Sequence, residues 1–97
     1  MQLSTALISV GLLVTAPLIA ADNCNAPLDY CGSSLLKKGN YRDQILQALL
    51  VSGQSTDYNH INYSLFNCLG GEGGAIKFIT FCGGSCKDNG QGKSDKC

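Results

Sequence analysis

The chain has no tryptophan, one histidine, one methionine and two prolines in 97 residues. Its aromatics are four tyrosines and three phenylalanines, and its seven basic side chains are cancelled by seven acidic ones. Each shortage excludes something. A net charge of zero, with interspersed signs, provides no basic stripe for nucleic acid. The only adjacent basic pair is Lys37-Lys38 in "LLKKG", which reads as part of a solvated turn. The lone His60 cannot supply the histidine pair of a zinc finger. Only Cys82 and Cys86 approach the Cys-x2-4-Cys spacing of a structural zinc site, so no metal site is expected. Nor does any nucleophile, base or carboxylate pair have the pattern of a catalytic centre, and no catalytic residue is assigned.

Two glycine-rich stretches invite a nucleotide reading and fail it. Gly92-Lys93-Ser94 matches the end of a P-loop, but Lys87 stands where the first glycine must be, and the printed chain ends three residues later with no helix to follow. Gly70-Gly71-Glu72-Gly73-Gly74 leads into β-branched and aromatic residues instead of a helix, unlike a dinucleotide-binding loop. No cofactor is expected.

What is present is an apolar N-terminus and six cysteines. Leu7 to Ala20 carries no charge, and the run closes on the small Ala20 and Ala21. This is the pattern of a secretory signal peptide over residues 1–21, preferred to a membrane anchor because the run is short and lacks basic flanks. Cleavage leaves residues 22–97, about 76 of the 97, as one disulfide-rich domain. Cys24, Cys31, Cys68, Cys82, Cys86 and Cys97 all survive. A domain this small buries too little apolar surface to offset chain entropy comfortably. Three disulfides, each contributing roughly 2–4 kcal/mol, would supply the difference. Cys24 and Cys31 are expected to pair with cysteines after Cys68, not with each other, because the N-terminal segment and the tail both need anchoring to the centre.

The spacing predicts a short strand over Tyr30–Lys38 and a helix over Tyr41–Ser52. Asn40 is the expected cap, Asp43 completes a capping box and Gly53 is the C′ residue. Ile45 and Leu49 should face Ile76 and Phe78, or failing that Ile79 and Phe81. Gln54–Asn62 reads as a polar connection containing the sequon Asn62-Tyr63-Ser64, which makes Asn62 a candidate glycosylation site. A hairpin follows, with strands Ser64–Leu69 and Ala75–Cys82 around the 70–74 loop. Apolar residues on both faces of the second strand suggest a central, covered position. A competing reading makes Tyr58–Leu69 a helix capped by Asp57. The fold class is α+β: a small disulfide-stapled α/β sandwich, an antiparallel sheet with one or two helices on one face. The tail "GGSCKDNGQGKSDKC" reads as turns pinned by Cys86 and Cys97.

The segments "DYCGSSLLKKGNY", "INYSLFNC" and "IKFITFCGGSCKDNGQGKSDKC" resemble the small cysteine-rich proteins secreted by filamentous ascomycete fungi. They resemble in particular the biotrophy-associated secreted proteins of the blast fungus. Several such effectors share a fold with the killer toxins of the corn smut fungus. The resemblance implies a compact α/β sandwich and secretion into the space between fungus and plant. It brings no catalytic residues. The expectation is therefore a monomeric, non-enzymatic effector that binds a host or cell-surface target, protein or glycan, without stable membrane insertion or nucleic acid. The alternatives are a killer-toxin-like antimicrobial or membrane-active protein, which zero net charge disfavours, and a secreted hydrolase. Loops 70–74 and 87–96 are the expected recognition surface.

Overall fold

A computed structural model describes residues 23–97; the expected signal peptide lies outside them. Strand β1 (Asp29–Cys31) leads directly into helix α1 (Gly32–Lys38), followed by α2 (Arg42–Val51) and α3 (Tyr58–Tyr63). Strands β2 (Ser64–Gly70) and β3 (Ala75–Phe81) complete the elements. The sheet is antiparallel in the order β1-β2-β3. This is the expected α+β class, with three helices where one or two were expected.

Phe66 and Cys68, two residues apart on one face of β2, meet Leu35 of α1, Ile45 and Leu49 of α2, and Ile61 of α3 in a single buried cluster. All three helices thus share one core against the central strand. Ile76 and Phe78 pack on its edge, Phe78 edge-on to Phe66 at 6.1 Å between ring centroids. Ile79 is exposed, so the first of the two expected helix–strand facings is the one adopted.

The expected strand over Tyr30–Lys38 is a strand for its first two residues only; α1 takes the rest. Cys31 and Leu35 are four apart, a spacing that puts them on one face of either element. Helix wins because it also brings Leu36 against the core. Gly32 permits this, since a Cβ there would run into the carbonyl oxygen of Ile61 on α3. Lys37 and Lys38 occupy the last turn of α1, where cations suit the helix dipole.

Helix α2 is the expected one, shortened by one residue at each end, and Gly53 follows it with φ +70°. Its cap is not Asn40. Tyr41 is the N-cap and makes no side-chain cap bond. The Tyr41 ring is buried instead, its hydroxyl donating to Gly74 O at 2.8 Å and accepting Cys24 N–H at 2.9 Å.

The expected connection over 54–62 contains α3. Asp57 caps it through Oδ1, which accepts His60 N–H at 2.8 Å. The competing helix over Tyr58–Leu69 is realised only in its first half. Ser64 is extended, with ψ 153°, and starts the strand that pairs on both sides. That makes β2 central. β3, expected there, is an edge strand: Ile76, Phe78 and Phe81 are half-buried, and Ala75 and Ile79 are exposed.

The disulfides are Cys24–Cys68, Cys31–Cys86 and Cys82–Cys97, closing separations of 44, 55 and 15 residues. Loops of these lengths correspond to about 3–4.5 kcal/mol each by chain entropy. Cys24 and Cys31 do not pair with each other, and Cys31 takes a partner after Cys68. Cys24 takes Cys68 itself, because that bridge closes inside the core cluster.

Candidate binding cleft

The tail is held at many points. Lys87 and Lys96 pair as an isolated antiparallel bridge, N–H to O at 2.7 and 3.0 Å. Within it, Asp88 Oδ1 accepts Gly90 N–H at 2.8 Å, forming an Asx turn, and Gly90 and Gly92 have φ of +98° and +75°. Only glycine takes such angles without strain, so the turn residues read from sequence have this physical reason.

Asp95 fixes the loop to the sheet. It is 4% exposed. Oδ2 accepts Cys31 N–H at 2.8 Å, Oδ1 accepts Asn89 N–H at 3.3 Å, and its own N–H donates to Asp29 O at 2.8 Å. Ser94 Oγ accepts Asp29 N–H at 2.9 Å. The tail thereby covers the free edge of β1, and Cys31–Cys86 bolts the same place covalently. The serine of the failed P-loop is a strand-edge clamp.

Between this loop and α1 lies a cleft of about 710 Å3. Lys37 and Lys38 line it from α1, Gly92 and Lys93 from the loop, and Leu28 and Tyr30 supply its apolar part. The Tyr30 hydroxyl accepts Asn25 N–H at 2.9 Å. Asp88 and Asp95 also line the cleft; both oxygens of Asp95 and one oxygen of the exposed Asp88 accept the backbone amides just described. Among the described residues the only ion pair within 4.0 Å is His60–Asp57, so the three cleft ammonium groups have no carboxylate partner at that range. A volume of this size suits a small ligand.

Of the two expected recognition loops, only 87–96 borders the cleft. The carbonyls of 70–74 are used internally: Asn23 Nδ2 donates to Glu72 O at 2.8 Å and Gln44 Nε2 to Gly73 O at 3.0 Å. The basic pair Lys37-Lys38, read from sequence as a solvated turn, is the part of the site that sequence reasoning missed. Its signal was present as the only adjacent basic pair, but nothing in the spacing places it beside residues more than fifty positions away.

His60 Nδ1–H donates to Asp57 Oδ1 at 2.8 Å, and the ring stacks on Phe81 at 3.8 Å. The His60 backbone N–H, then its ring, holds the Asp57 carboxyl below its usual range. Ser64, the nearest serine in sequence, is fully buried and its Oγ has no hydrogen-bond partner, so it does not engage the imidazole. Asn62 Nδ2 donates to Tyr58 O at 2.9 Å, and the sequon straddles α3 and β2 with its hydroxyl sealed. Among the described residues no group of three His, Cys, Asp or Glu could hold a metal ion, and no helix is long and apolar enough to cross a membrane.

A second groove, of about 580 Å3, runs between α2 and β3 beside Ala48, Val51, Ile76 and Phe78. No protein-family model, curated protein or solved structure matches the chain. Its three disulfides are typical of extracellular proteins.

Proposed function

We propose that this chain is a secreted, non-enzymatic fungal effector that acts at the plant–fungus interface by binding a host or cell-surface target through the 87–96 loop and the cleft beside it. The observation that carries the reading is the combination of exposure and restraint in that loop. Asp88, Gly90, Gln91, Gly92 and Lys93 are exposed, yet two disulfides, a backbone bridge and the buried Asp95 hold their backbone. A surface ordered before binding does not lose that freedom on binding, which favours affinity. The apolar N-terminus and the segments quoted above support the extracellular, fungal setting.

The test replaces residues 88–93 with another turn of equal length, keeping Asp95 and all six cysteines. A folded variant that loses host-tissue binding supports the reading. Full activity in that variant, with activity abolished by one carboxylate substitution elsewhere, would overturn it in favour of an enzyme.

A further inference from the structure

Resting on that reading, we infer that the cleft takes an acidic oligosaccharide, a sugar chain bearing carboxylate or sulfate groups. The cleft brings Lys37 and Lys38 of α1 together with Lys93 of the tail, from opposite ends of the sequence. Lys37 and Lys93 are exposed and Lys38 is half-buried, and among the described residues none has a carboxylate within 4.0 Å. The helix dipole accounts for lysines at the end of α1. It does not account for Lys93, which the loop brings to the same cleft.

The two acids in the cleft do not answer these cations. Asp95 gives both oxygens to backbone amides and Asp88 gives one to Gly90 N–H, so the three lysines outnumber two carboxylates that are turned to other donors. A ligand with fixed negative charge would replace water on these ammonium groups with charge-assisted hydrogen bonds.

The rest of the lining argues for sugar over a bare anion. The cleft, at about 710 Å3, is far larger than a phosphate needs. Asn25, Ser34 and Gln91 offer amide and hydroxyl groups to a hydroxyl-rich ligand, and Tyr30 adds one aromatic ring beside them. Nucleic acid fits less well, because the chain has no net positive charge to track a phosphate backbone.

The experiment titrates the folded, oxidised protein with oligogalacturonate, a sulfated heparin fragment, a neutral cello-oligosaccharide and inorganic phosphate, following amide shifts by NMR. One or both acidic sugars should shift the amides of Lys37, Lys38, Gly90, Gly92 and Lys93, and the two arms tell carboxylate from sulfate. Added salt should weaken binding. The double variant Lys37→Gln with Lys93→Gln should bind about ten-fold more weakly or worse, with other amide shifts unchanged. Equal binding of the neutral sugar, saturation of the same amides by phosphate with equal affinity, or no shift with either acidic sugar would overturn the inference. If the acidic sugars fail while the 88–93 replacement still abolishes target binding, the ligand class is wrong and the surface stands. If that replacement is also silent, the surface reading falls too.

Discussion

The carboxylate of Asp95 accepts the backbone N–H of Cys31 at 2.8 Å, joining residues 64 positions apart where β1 turns into α1. Asp95→Ala would leave that N–H buried without an acceptor, at a cost of about 1–3 kcal/mol. Urea denaturation with disulfides intact should show the loss, and amide exchange at Cys31 should accelerate. Asp95→Asn keeps an acceptor oxygen and should cost less. Equal, negligible effects of both would show that the disulfides alone hold the tail.

Leu49 is fully buried against the central strand. Leu49→Ala should destabilise the domain by about 2–5 kcal/mol. Leu50, its neighbour, is 63% exposed, and its alanine variant should move the denaturation midpoint little. Comparable shifts for the two would mean that α2 presents a different face.

Gly32→Ala tests the contact between α1 and α3. The added methyl meets a backbone carbonyl, that of Ile61, which cannot swing aside as a side chain can. The variant should be destabilised despite alanine's better helix propensity. A gain in stability would show that the two helices separate freely.

Much of this architecture is legible in the sequence, for identifiable reasons. Helix α2 and the second hairpin strand announce themselves through local periodicity and flanking glycines, whereas the first hairpin strand also fits helical spacing. Helix α1 does not, because the Cys31–Leu35 spacing fits two periods and Gly32 looks like a helix breaker until Ile61 lies over it. α3 has only six residues, too few to establish a period, although Asp57 marked its start. The central place of β2 depends on which strand β1 joins, a long-range choice that apolar content alone did not reveal. The tail's turns were legible; that they carry a lysine to the end of α1 was not.

The Asp57–His60 cap gives a prediction about acid. The carboxyl of Asp57 titrates below its usual value of 3.8 because the His60 N–H, then the ring, bonds its ionised form. A folded value depressed below the unfolded one means that the cap's contribution is fully present above about pH 4. It is lost as pH falls through the folded value, below 3.8. The carboxyl 13C shift of Asp57 should titrate below that of an unstructured reference peptide, and α3 amides should lose protection over the same range. A midpoint at or above the reference would refute the cap.

The three disulfides differ in access. Cys24, Cys31 and Cys68 are buried, Cys82 and Cys86 are half-buried, and Cys97 is exposed. A small thiol reaches exposed sulfur first, so Cys82–Cys97 should open while Cys24–Cys68 persists inside the core. The scaffold and its grip then have separate lifetimes. A protein that passes into a reducing compartment would lose the bridge securing one end of the 87–96 loop while keeping its shape, so any binding through that loop would be confined to places where that outermost bond survives.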